Sequence, residues 1–98
     1  CTATYRVVNQ WSGGFQGEVV VRNDTTATTS AWTATFTYAN GQQMMQAWNA
    51  GVVQSGATVT ARNVNWNGTL APGGTATFGF LATWNGTNGT PQATCTVS

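Results

Sequence analysis

The chain has 98 residues, 41% of them hydrophobic, and only 5% charged with a net charge of +1. That is enough apolar material for one modest core, so we read residues 1–98 as a single module. No apolar run approaches the ~20 residues of a membrane span, and the near-neutral balance offers no basic footprint for nucleic acid.

In chain order, residues 2–10 alternate, with Ala3, Tyr5 and Val7 on one side and Thr4, Arg6 and Val8 on the other. This predicts a strand with one buried face, ending at Asn9-Gln10. Ser12-Gly13-Gly14 turns the chain into a second strand over 15–22, with Phe15, Val19 and Val21 inward. A threonine-rich loop leads to residues 31–38, where Trp32, Ala34, Phe36 and Tyr38 alternate with Ala31, Thr33, Thr35 and Thr37. A period of two over that length places Trp32 on the core face. Asn40-Gly41 is a hairpin-type turn signal. Residues 42–48 form a less regular strand ending near Trp48, and 57–64 alternate again around Val59 and Ala61. After Pro72-Gly73-Gly74 comes a strand over 75–81 with Ala76, Phe78 and Phe80 inward. A loop from Trp84 to Pro91 precedes a last strand near 93–97. No segment carries a helical apolar period. Seven or eight short strands in this length predict an all-β antiparallel β-sandwich of jelly-roll or immunoglobulin-like type.

The only cysteines are Cys1 and Cys95. We read them as a disulfide joining the termini, with two free thiols as the alternative. In the loop-entropy account such a bridge adds ~4–5 kcal/mol. A disulfide implies an oxidising compartment, hence an extracellular, secreted location. The chain lacks an initiating methionine and a signal peptide, which suggests a piece of a longer secreted protein.

Catalytic chemistry is poorly provided for. There is no histidine, and with both cysteines bridged no thiolate nucleophile or zinc site. The two carboxylates, Glu18 and Asp24, are six residues apart, roughly 20 Å along an extended strand. Glycosidases hold theirs about 5–9.5 Å apart. We therefore expect no enzyme activity, no metal and no cofactor. Four Asn-x-Thr triplets, at Asn23, Asn67, Asn85 and Asn88, are glycosylation acceptors or chance in so Asn- and Thr-rich a chain.

Trp11, Trp48 and Trp66 sit at or near strand ends, flanked by amides in Asn9-Gln10-Trp11, Gln46-Ala47-Trp48-Asn49 and Asn65-Trp66-Asn67. Each could fold back over one end of the core, but Trp32, Phe15, Phe36, Phe78, Phe80 and Tyr5 already supply that core. Trp84 stays open between core and loop. Exposed indoles on an uncharged domain mark a binding surface. A neutral partner with flat C–H faces and hydroxyls fits, which is a polysaccharide. One buried indole face, about 100 Å², contributes ~2.5 kcal/mol, and three ~7 kcal/mol before the cost of association.

At this point the chain resembles the family 2 carbohydrate-binding modules of bacterial cellulases and xylanases, over nearly its whole length. The resemblance rests on the terminal cysteines, Val8-Asn9-Gln10-Trp11, Trp32-Thr33, Gly41-Gln42-Gln43, Gln46-Ala47-Trp48, Arg62-Asn63 with Trp66-Asn67-Gly68, and Gly73-Gly74-Thr75-Ala76 with Phe78-Gly79-Phe80. It implies a β-sandwich with bridged cysteines and a flat binding face. Trp11, Trp48 and Trp66 match the family's binding positions, and Asn9 and Gln46 match polar residues beside the rings. Trp32 matches a buried position. In the xylan-binding branch an arginine three positions after the first tryptophan turns that ring upright. Here the position is Gly14, which implies a flat Trp11 and crystalline cellulose as partner. At Glu18, Thr77 and Leu81, where relatives often carry amides, this chain does not. The resemblance implies a monomeric, non-catalytic module tethered to a secreted polysaccharide-degrading enzyme. Crystalline chitin or xylan, or a protein-binding adhesive sandwich, are the alternatives.

Overall fold

A computed structural model describes residues 1–98. Eight strands form two antiparallel four-stranded sheets with no helix. The first sheet has the order β1-β2-β7-β4, from Thr2–Trp11, Gly14–Arg22, Thr75–Thr83 and Gln43–Trp48. The second has the order β5-β6-β3-β8, from Ala50–Ser55, Thr58–Asn63, Trp32–Thr37 and Thr94–Val97. The alternating residues read inward from the sequence meet between the sheets in a cluster of 17 buried side chains. Phe15, Val19, Phe78 and Phe80 of the first sheet face Trp32, Phe36, Val59 and Ala61 of the second. This is the expected β-sandwich. The disulfide between Cys1 and Cys95 ties edge strand β1 of one sheet to edge strand β8 of the other.

Two expectations need correction. The chain from 50 to 55, read as no element, is strand β5, paired with β6. It is an edge strand whose Val52 only partly reaches the core and whose Gly51 and Val53 face outward, so its alternation is faint. Asn40-Gly41 does form a bend, with Gly41 at φ 71°, but no hairpin: β3 and β4 belong to different sheets. Pro72-Gly73-Gly74 likewise carries the chain between sheets, anchored where Gly73 N donates to Asn23 O (2.7 Å) and Asn23 N donates to Gly74 O (2.9 Å). The sandwich needs such crossings as much as it needs hairpins. Only register tells the two apart.

The core holds a polar pair. The hydroxyls of Tyr5 and Tyr38 lie 3.0 Å apart, buried among the rings of Phe15, Phe36 and Phe80. Burial pushes the Tyr5 hydroxyl up to about 12, opposed by its bond to Tyr38. Burial raises Tyr38 further, aided by Tyr5. Above pH ~10 the unfolded chain therefore loses phenolic protons that the folded chain keeps. Stability should fall by about 1.4 kcal/mol per pH unit for each tyrosine, Tyr5's share ending near the pH at which it ionises in the fold. Urea titrations across the alkaline range check this, and Tyr5→Phe should flatten the slope.

Candidate functional site: the outer face of the first sheet

Strand alternation alone would turn both Trp11 and Trp48 into the core. Ala3, Tyr5 and Val7 point inward on β1, and continuing that parity puts Asn9 and Trp11 inward too. The register slips at this point: Val7 pairs with Gly17, but Asn9 pairs with Gln16, leaving Val8 as an extra residue. Such a bulge reverses the parity of everything after it. Asn9 and Trp11 therefore emerge on the outer face, beside Gln16 and Gly14. The same happens on β4. Met44 pairs with Ala82 and Gln46 with Leu81, so Met45 is the extra residue and Gln46 and Trp48 turn outward. The two bulges lie on β1 and β4, the two edges of one sheet, so both rings arrive on the same face. The bulge residues Val8 and Met45 are themselves exposed.

Each ring then rests on a glycine. A Cβ on Gly14 would collide with the Trp11 indole, and one on Gly79 would lie 2.5 Å from Nε1, Cε2 and Cζ2 of Trp48. Gly14 pairs with Thr83 on β7, four residues from Gly79, so the two seats are about 13 Å apart along the strand. Between them runs the cross-strand row Asn9, Gln16, Leu81 and Gln46. The next row holds Arg6 and Glu18, paired with each other, then Gly79 and Trp48. Gly79→Ala should lift the Trp48 ring, raising its access to a soluble fluorescence quencher while the far-UV spectrum stays unchanged. An unaltered quenching profile would show that the ring does not sit on Gly79.

Trp66 reaches this end of the sheet on the loop after β6 and is 68% exposed. Asn67 holds the loop: its Oδ1 accepts from Val64 N (2.9 Å) and its Nδ2 donates to Asn49 O (2.7 Å). Asn49, which follows Trp48, takes φ 66°, and there the chain passes from β4 to β5 and changes sheet. One amide thus links the segments carrying Trp48 and Trp66. Trp84, left open by the sequence, is half-buried against the core. Its Nε1 donates to Trp11 O (2.9 Å) and Gly14 O (3.0 Å), propping the turn on which Trp11 sits.

The sequence-predicted residues Trp11, Trp48, Asn9 and Gln46 thus share one face, and the loop of Trp66 is tied beside it. Sequence reasoning missed Gln16, central on that face, and Gly79, the seat of Trp48. The strict alternation of β2 and β7 could have found both. No group of three His, Cys, Asp or Glu side chains is placed to hold a metal.

The sequence matches the family described as "Cellulose binding domain" over residues 1–98. It is 48% identical over 86 residues to Endoglucanase A of Thermobispora bispora, and 47% over 93 residues to Exoglucanase A of Cellulomonas fimi. These matches cover 88% and 95% of the chain but only 19% and 11% of those proteins. Among solved structures it is similar to the chitin-binding domain of Chi18aC from Streptomyces coelicolor (39% identity, TM-score 0.74, 94% and 88% of the two chains). It is also similar to the cellulose-binding family 2 carbohydrate binding domain from ScLPMO10C (38%, 0.74, 95% and 93%). A third is the internal xylan binding domain of Cellulomonas fimi xylanase D (33%, 0.72, 100% and 98%). With its disulfide-closed sandwich and tryptophan-bearing face, the chain belongs to the cellulose binding domain family, the family 2 carbohydrate-binding modules, and is a non-catalytic polysaccharide-binding module.

Proposed function

We propose that this module adsorbs to crystalline cellulose and holds an attached, secreted polysaccharide-degrading enzyme on its insoluble substrate. Trp11, Trp48 and Trp66 are the stacking surfaces, and Asn9 and Gln46 meet the hydroxyls of the glucan chain. The observation that supports this most is the pair of edge-strand bulges, which bring two indoles onto one sheet face, each over a glycine. A ring lying over a glycine has nothing beneath it to tilt it upright, and a flat ring suits the flat face of a crystal. A side chain at position 14 would occupy the space of the Trp11 ring, so Gly14 speaks against the upright arrangement suited to soluble xylan.

Crystalline chitin is a second reading, and Leu81 favours it. Leu81 stands between Gln16 and Gln46 in the row separating the two rings. Its aliphatic side chain fits an acetamido methyl, and the neighbouring amides fit the acetamido N–H and C=O. A pull-down on microcrystalline cellulose, chitin and insoluble xylan tests both. Retention in the supernatant with cellulose would sink the main proposal, and binding to chitin alone would replace it with the second. Adsorption should change little with salt, because the charges on this face, Arg6 and Glu18, neutralise each other. A steep loss in high salt would contradict recognition by rings and amides.

A further inference from the structure

The chain contains four Asn-Gly steps, at Asn40-Gly41, Asn67-Gly68, Asn85-Gly86 and Asn88-Gly89. An asparagine followed by glycine is prone to deamidate, because glycine lacks the Cβ that would hinder its own nitrogen from reaching the asparagine carbonyl carbon. The side chain must be free to swing toward that nitrogen. Three of the four are held. Asn40 Oδ1 accepts from Gly89 N (3.0 Å). Asn67 is held at both ends, by Val64 N and Asn49 O. Asn88 Oδ1 accepts from Gln42 Nε2 (3.2 Å), and its Nδ2 donates to Gln10 Oε1 (2.9 Å). Asn85 alone is exposed, where the other three are half-buried, in a tight turn whose apex, Gly86, has φ 81°.

We infer that Asn85 is the residue at which this module spontaneously deamidates, and that the change unsettles the seat of Trp11. The Gly86 nitrogen loses its proton and attacks Asn85 Cγ. The new C–N bond closes a succinimide, the Cγ–Nδ2 bond breaks, and ammonia leaves. Water then opens the ring at either carbonyl, giving aspartate or isoaspartate with no change of oxidation state. Either product adds a carboxylate and takes the net charge from +1 to neutral. Isoaspartate also inserts a methylene into the backbone directly after Trp84. Trp84 is the indole that hydrogen-bonds Trp11 O and Gly14 O, and its own nitrogen donates to Gly13 O (3.3 Å). A longer backbone at 85 pulls on all three of these bonds.

The test ages the intact, disulfide-bonded protein in mildly alkaline buffer and follows it by mass spectrometry and peptide mapping. The amide-to-acid mass gain and isoaspartate should appear in the peptide holding Asn85, before any at Asn40, Asn67 or Asn88. Asn85→Gln should abolish it. Conversion starting at another of the four, or none while a denatured sample converts, overturns the assignment. The aged form, separated by its altered charge, should show a shifted Trp11 indole resonance. Because this functional half rests on the proposed cellulose face, it should also adsorb to cellulose roughly tenfold more weakly than fresh protein. An unmoved resonance overturns the link to Trp11. If fresh protein itself fails to adsorb, the proposed function falls, while the mass and resonance results stand independently.

Discussion

Replacing Trp48 with alanine should abolish adsorption to cellulose and leave the fold in place. The indole lies on Gly79, with Trp11 across the sheet and the Trp66 loop tied beside it through Asn67 and Asn49. Three stacked rings contribute ~7 kcal/mol, against an association cost of several kcal/mol at least. The surplus is small, so losing ~2.5 kcal/mol from one ring removes most of it. The cost to folding is modest because the ring is half-exposed and covers a glycine rather than core side chains, about 1 kcal/mol. Depletion isotherms on microcrystalline cellulose, with thermal melts on the same samples, separate the two quantities. A variant that adsorbed like the parent would place the binding surface elsewhere. One that lost both adsorption and the cooperative melt would make Trp48 a core residue.

That contrast shows what the sequence could and could not reveal. Trp32 was legible as core because four apolar side chains in Trp32–Tyr38 alternate without interruption. The amides around Trp11 and Trp48 point outward, while periodicity points the other way: Val7, Asn9 and Trp11 share a parity, as do Met44, Gln46 and Trp48. The bulges that reverse both are invisible in composition, since Val8 and Met45 look like ordinary strand residues. β5 was hidden because an edge strand with a glycine and half-exposed valines barely alternates. Trp84 stayed open because it continues the inward alternation of Phe80 and Ala82 just beyond the last residue of β7. Its role depends on two carbonyls about seventy residues earlier. Local patterns thus recovered the sandwich, while the face depended on register between strands distant in sequence.

Trp32→Ala should lower stability by about 3–5 kcal/mol, a large share of the 5–15 kcal/mol usual for a domain. The indole is 1% exposed and stacked on Phe78 of the opposite sheet, with ring centroids 5.7 Å apart at 12°. Truncation leaves a cavity that Phe78, held in its own strand, cannot close. It also removes a polar contact: Trp32 Nε1 donates to Asn67 O (2.9 Å), while the Trp32 backbone nitrogen donates to Asn63 Oδ1 (3.0 Å). Asn67 is the residue whose side chain fixes the loop of Trp66 to Asn49. The core tryptophan therefore braces an exposed one, and Trp32→Phe separates its two duties. Phenylalanine keeps much of the stack on Phe78, so most of the stability should return. It cannot donate to Asn67 O, so the Trp66 loop should loosen, with faster amide exchange across 64–68. Urea unfolding with the disulfide intact measures the first effect and hydrogen exchange the second. Full stability with unchanged exchange in Trp32→Phe would show that the loop holds itself, and that the indole nitrogen has no part in presenting Trp66.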